Sequence, residues 1–237
     1  MINKEKFYGI NESNWGHKWG YKDSGFKING DKSVTFTGKR YPICGKRLYN
    51  FIPFVEEILG VKFTLEPKIK EVEEKHVSDP NINEPFMDEI RKSFDADRFS
   101  NEHNERLLHS HGQHSTDEVY KVLYNRLESF TDLVFYIESE EETVKLIDLA
   151  EKHNVCLIPY GGGTNVTNAL RPPKEDNRMV VSVDTRRMAA IESVDEHNLM
   201  VTVGAGITGK ALEQDLNKRG FTVGHEPDSY EFSTVGG

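Results

Sequence analysis

Three consecutive glycines, Gly161-Gly162-Gly163, follow directly on the apolar stretch Val155–Pro159 and run into Thr164 and Asn165. No other feature of the chain narrows its fold as far. Glycine loses more backbone freedom in a helix or strand than any other residue, so the triplet ends the preceding element. It also removes three side chains. Another backbone, or a ligand, can then come into contact, and successive N–H groups can converge on an anion. Thr164 and Asn165 add side-chain donors, and a diphosphate is the natural guest. An ordinary tight turn is the alternative. A dinucleotide turn of the G-x-G-x-x-G kind fails, because Val166 stands where the third glycine should be and Leu170-Arg171-Pro172-Pro173 cannot continue a helix. Asp184 stands about twenty residues on, the usual place of a ribose-binding acid, but without the helix that match carries little. The Gly-Lys-Ser/Thr ending of a nucleotide-triphosphate loop is absent.

The flanking pattern predicts strand–helix–strand units from about Arg126 onward, an α+β arrangement. Leu133–Ile137 reads as a continuous apolar strand. Ser139 with Glu142 reads as a capping box, and Thr143, Leu146, Ile147 and Ala150 fall on one helical face. Val155–Pro159, Met179–Val183, Ile191–Val194 and Leu199–Val203 read as further strands. Gly204-Ala205-Gly206 breaks the last. Thr208 caps a helix with Ala211, Leu212 and Leu216 inward, ended at Gly220. Upstream, residues 1–65 form an extension rich in aromatics, with Trp15, Trp19, Tyr21 and Phe26, a short strand at 34–38, and a packed helix over Phe54–Leu59 closed by Gly60. Residues 66–85 are a charged, proline-bearing linker. Residues 86–125 are a helical segment with a polar helix over Asp88–Phe99, and 126–237 form the glycine-loop domain.

Composition excludes several classes. Net charge is −9, which disfavours wrapping nucleic acid. No run of 18 apolar residues offers a membrane span, and the first twenty residues lack the apolar core of a signal peptide. Cys44 and Cys156 are too few and too far apart for a disulfide framework, and Asn11-Glu-Ser and Asn165-Val-Thr then read as chance glycosylation matches. The 13 Phe, 9 Tyr and 2 Trp are enough to build a core despite 36% hydrophobic content. His103, His109, His111 and His114 are dense, but no cysteine is near and their spacing fits no standard zinc pattern, so no metal is expected.

Pro159-Tyr160-Gly161-Gly162-Gly163-Thr164-Asn165-Val166 resembles the diphosphate loop of the vanillyl-alcohol-oxidase/PCMH-type FAD-binding family. The flanks are more specific. Trp19-Gly-Tyr-Lys-Asp-Ser-Gly-Phe, Thr37-Gly-Lys-Arg-Tyr-Pro and Gly224-His-Glu-Pro-Asp-Ser-Tyr-Glu-Phe-Ser-Thr-Val-Gly-Gly resemble the alkyldihydroxyacetonephosphate synthase branch. The resemblance implies the N-terminal part of an FAD-binding domain behind an aromatic, helix-containing extension. It implies FAD held at the diphosphate by Pro159, Tyr160, Gly161, Gly162, Gly163, Thr164 and Asn165. A second flavin-contacting stretch would comprise Pro227, Asp228, Ser229, Tyr230, Glu231, Phe232 and Ser233.

The implied reaction is an ether-lipid synthesis with no net redox change. The acyl chain of acyl-dihydroxyacetone phosphate is exchanged for a long-chain fatty alcohol, releasing a fatty acid. The family's catalytic tyrosine and C-terminal histidine cluster would lie beyond Gly237. That leaves His225 as the catalytic candidate within this chain, and the chain by itself is expected to be inactive. The four histidines at 103–114 resemble a His-Gly-His stretch of the family, with a helix-flanking or substrate-facing role. The resemblance also implies peroxisomal residence, contact with the peroxisomal membrane surface and a homodimer, although no targeting signal is visible. An FAD-dependent oxidoreductase of the same fold, acting on D-lactate or a similar substrate, and a non-catalytic flavin-binding module are the alternatives.

Overall fold

The computed structural model describes residues 21–64, 72 and 75–237. Trp15, Trp19, Asn11 and most of the charged run within 66–74 lie outside the described residues. At the N-terminal side, β1 (Phe26–Ile28), β2 (Val34–Phe36) and β3 (Arg47–Leu48) form an antiparallel sheet. The helix α1 (Phe51–Leu59) follows and is closed by Gly60 at φ +64°. It begins three residues before the expected Phe54, because Pro53 sits in its first turn, where the missing N–H has no intrahelical partner to lose.

Residues 75–83 have no regular structure and run along the next unit. Lys75 Nζ bonds to the Leu123 carbonyl at 2.7 Å, and the Asn81 N–H donates to Asp132 Oδ1 at 2.8 Å. The helix α2 (Glu84–Ser93) starts and ends earlier than the expected Asp88–Phe99. Asn83 accepts from the Phe86 N–H at 3.1 Å, and Pro85 sits in the first turn, so the residues that read as linker are a start signal. A 3₁₀ turn at Ala96–Arg98 and β4 (Phe99–Ser100) take the remainder.

After α3 (His103–Leu108) and α4 (Thr116–Leu123) come β5 (Leu133–Tyr136), α5 (Glu140–Lys152), β6 (Cys156–Tyr160) and β7 (Val180–Asp184). The sheet order is β4-β5-β7-β6, with β4 antiparallel to β5 and the other three strands parallel. Every residue of β5 and β7 is buried, as expected of parallel strands covered on both faces. On one face, Leu133, Phe135, Val181 and Val183 meet Phe86, Met87 and Ile90 of α2 and Leu146, Leu149 and Ala150 of α5. Each such side chain contributes about 1.5–3 kcal/mol by leaving water. The other face carries Tyr136 and Asp184 against α3.

The predicted inward face of α5 is rotated. Leu149 is buried and Ile147 is 51% exposed. The Ser139 hydroxyl accepts from the Glu142 N–H, but Glu142 Oε2 accepts from the Glu138 N–H rather than closing the box on Ser139. β8 (Ile191–Asp195), β9 (Met200–Val203) and α6 (Gly209–Asn217) build a second, smaller core from Ile207, Ala211, Leu212 and Leu216. Thr208 caps α6 through the Ala211 N–H at 3.3 Å. The helix stops at Asn217, before Gly220, whose N–H returns to the Asn217 carbonyl. The predicted burial of α1 also fails. Only Ile52 is buried there, and Phe54 and Ile58 are 61% and 67% exposed.

Candidate functional site

The pairing register sets Tyr136, Asp184 and Tyr160 level with one another at the carboxyl ends of β5, β7 and β6. In open parallel sheets this edge is where ligands bind. The glycine loop leaves the sheet here, immediately after Tyr160. Gly161 and Gly163 are buried. A Cβ on Gly161 would stand 2.1 Å from Thr234 Oγ1, and one on Gly162 only 1.9 Å from the Phe232 carbonyl oxygen. Gly163 has φ +68° and lies against the Tyr160 hydroxyl. Gly161 and Gly162 are therefore needed for close approach of another segment of the same chain, 232–236, and Gly163 for its left-handed backbone against Tyr160.

That segment overlaps the second stretch singled out from the sequence at Phe232 and Ser233, so the structure brings the two together. The Ser233 hydroxyl donates to Thr164 Oγ1 at 2.9 Å. The 229–233 stretch is one tight turn, with the Phe232 and Ser233 N–H groups bonded to the Ser229 carbonyl at 2.7 and 2.9 Å. It is tied to α6 by the Gly209 and Lys210 N–H groups, which donate to Ser233 and Tyr230 carbonyls. Pro227 and Asp228 are exposed, and Ser229, Tyr230, Glu231 and Phe232 are half-buried. His225 is exposed in the loop after α6 and has no hydrogen bond among the described residues.

Among the described residues, no backbone N–H from Gly161 to Asn165 donates to a protein acceptor. Backbone donors in folded chains are nearly always paired, so consecutive N–H groups without a partner among the described residues, at a sheet's carboxyl edge, are suited to an anion. The Asn165 amide nitrogen is buried and orphaned as well, while its oxygen accepts from the Ala169 N–H at 3.1 Å. The backbone row fits the diphosphate of a dinucleotide such as FAD, whereas the Asn165 amide nitrogen packs against Gly112, where a Cβ would stand 2.7 Å from it and from Glu118 Oε2.

Behind the loop lies a buried polar cluster that sequence reasoning missed. His109, at the end of α3, directs Nδ1 to the Glu105 carbonyl at 2.7 Å and Nε2 to Asp184 Oδ2 at 2.9 Å. Arg186 clasps Asp184 through Nε at 2.9 Å to either oxygen. Burial opposes ionisation of Asp184, but Arg186 and His109 outweigh it and hold its carboxyl at about 2. Asp184 is thus a locked structural carboxylate, which removes it as a ribose ligand. Burial pushes the Tyr160 hydroxyl up to about 12, so it stays protonated, and its ring lies 4.3 Å from the His109 ring.

The four histidines separate. His109 and His111 are buried, His114 is half-buried and His103 is exposed. Their segment braces the loop instead, with the Gln113 N–H donating to the Gly163 carbonyl at 2.7 Å. The sequence signal for this cluster was only the density of histidines. Pairing across 75 positions left no periodic trace.

Residues 131–237 match a family described as FAD binding domain. The chain is 41% identical over 219 residues to an alkyldihydroxyacetonephosphate synthase of Caenorhabditis elegans, covering 92% of this chain and 36% of that protein. It is 34% identical to the enzyme of the same name from Trypanosoma brucei brucei, covering 93% and 36%. A solved alkyldihydroxyacetonephosphate synthase superposes with a TM-score of 0.82 at 28% identity, covering 95% of this chain and 42% of that one. The chain therefore spans little more than a third of the length of these curated relatives.

Proposed function

The chain matches alkyldihydroxyacetonephosphate synthases over nearly all of its length and carries an FAD-binding domain from residue 131, and from that premise we propose that it supplies the diphosphate cradle of an ether-lipid synthase. FAD is the cofactor. Support for the assignment comes from the open row of N–H groups at Gly161–Asn165, set at the carboxyl edge of the parallel strands. Pro159–Asn165 hold the diphosphate, with Thr164 adding a hydroxyl. Pro227–Ser233 form the second wall, and Ser233 joins the two through Thr164. The missing side chains at Gly161 and Gly162 keep both walls in contact. The Asp184–Arg186–His109 cluster fixes the strand ends from which the loop departs.

When bound, FAD supplies a reactive ring at which one oxygen substituent of the substrate is exchanged for another without net redox change. The substrates in this reading are acyl-dihydroxyacetone phosphate and a long-chain fatty alcohol. The products are alkyl-dihydroxyacetone phosphate and a fatty acid, the carboxylate leaving as the alcohol oxygen adds and its proton departs. The same kinship supports peroxisomal residence, access to a membrane surface for lipid substrates, and a homodimer. Among the described residues no helix is long and apolar enough to cross a membrane.

The test is the flavin itself. The intact gene product should purify with one FAD per chain, and D-lactate should fail to bleach it. Bleaching by D-lactate with turnover to an electron acceptor would replace the synthase assignment by an oxidoreductase one. A colourless protein that takes up no FAD would refute the cradle.

A further inference from the structure

Two motifs of the N-terminal extension, around Tyr21 and around Arg40-Tyr41, have no place in the function above. Their side chains converge on Glu231 and Phe232. The Tyr41 hydroxyl donates to Glu231 Oε1 at 2.5 Å, joining residues 190 positions apart. The Tyr21 ring is buried 4.9 Å from the Phe232 ring. The Arg40 guanidinium lies over the Tyr21 ring at 3.9 Å, and its Nε donates to Asp23 Oδ1 at 3.2 Å. Burial, then the bond to Glu231, raises the Tyr41 pKa well above its ordinary value, so the hydroxyl remains a donor. A neutral hydroxyl on a carboxylate is a charge-assisted bond, roughly twice as strong as a neutral pair.

Glu231 Oε2 faces Lys210 Nζ of α6 at 3.8 Å, so the carboxylate spans two structural units. It sits in the turn whose Phe232 and Ser233 N–H groups close on the Ser229 carbonyl. Ser233 then reaches Thr164 on the glycine loop. A rotation of the Glu231 side chain would therefore be felt two residues on, at the joint between the two walls.

We propose that Tyr41, backed by Tyr21 and Arg40, is a positioning residue for the FAD site: it holds Glu231 and through it sets the turn Ser229–Ser233 against the glycine loop. The N-terminal extension is then a working part of the cofactor site. This rests on the assignment of Pro227–Ser233 as flavin-contacting.

In the intact protein, Tyr41→Phe keeps the ring and removes only the hydroxyl. FAD titration of the apoprotein should show about a tenfold rise in Kd, with a changed visible band of the bound flavin. Tyr49→Phe, an exposed tyrosine of the same extension, should change neither. Glu231→Ala, which leaves no acceptor for the Tyr41 hydroxyl, should weaken FAD binding too, and the double variant should be no weaker than the worse single one, because both remove the same link.

Unchanged Kd and spectrum in Tyr41→Phe, with only a lowered thermal midpoint, would make the bond a plain structural staple and overturn the proposal. Full additivity in the double variant would do the same. A wild-type protein without FAD would overturn the flavin assignment and this proposal together. A wild-type flavoprotein with an indistinguishable Tyr41→Phe variant overturns the positioning role alone.

Discussion

Gly162→Ala adds one methyl group, and the structure sets its consequence. The new Cβ would lie 1.9 Å from the Phe232 carbonyl oxygen and 2.6 Å from its carbon. An ordinary contact needs about 1.5 Å more room. The obstacle is backbone, so no rotamer change relieves it. Phe232 and Ser233 must shift, and three bonds lie in the path of that shift: Phe232 N–H to Ser229, Gly209 N–H to the Ser233 carbonyl, and Ser233 hydroxyl to Thr164. At about 0.5–1.5 kcal/mol each, their loss is worth roughly 2–4 kcal/mol in total. Because the displaced segment is one wall of the proposed cradle, most of that loss should fall on FAD. Its Kd should rise by about thirtyfold to several hundredfold, since each tenfold corresponds to about 1.4 kcal/mol. The assay is fluorescence titration of apoprotein with FAD, with thermal melting alongside. Gly30→Ala is the control, because nothing lies within 4 Å of a Cβ there. A Gly162→Ala protein with wild-type FAD affinity and wild-type melting would refute the close-approach argument.

Acid should act through Asp184. Its folded carboxyl is depressed to about 2, burial being outweighed by Arg186 and His109, while an unfolded aspartate titrates at about 3.9. The stabilisation, roughly 2–3 kcal/mol, is therefore full above about pH 5 and lost as pH falls through the folded value. In urea unfolding, the wild-type advantage over Asp184→Asn should shrink from pH 6 toward pH 2, and a gap independent of pH would contradict the pairing. Asn83→Ala removes the cap on α2 and the bond from its amide to the His153 carbonyl at 3.0 Å. It should cost about 1–2 kcal/mol in the same assay, and no change would show the cap to be idle.

Local signals carried most of the α+β domain. Leu133–Tyr136 and Val180–Asp184 were readable because strands buried on both faces are unbroken apolar runs. Ser139 and Thr208 were readable because a cap acts within three residues. The start of α2 was hidden because Pro85 and Asn83 also suit a linker. The exposure of α1 was hidden because an apolar stripe marks a face and does not reveal what covers it. The site divided in the same way. The glycine triplet announced an anion cradle, whereas His109 with Asp184 and Tyr41 with Glu231 are pairings at long range, visible only once the sheet and the turn have brought them together.

In the proposed reading the cofactor cradle serves an exchange of oxygen substituents. The most direct measurement gives the intact, FAD-loaded protein acyl-dihydroxyacetone phosphate and a labelled long-chain alcohol, without oxygen or any electron acceptor. The expected products are labelled alkyl-dihydroxyacetone phosphate and free fatty acid in equal amounts, with the flavin oxidised at the end. Flavin left reduced, or fatty acid released with no label in an ether product, would contradict it.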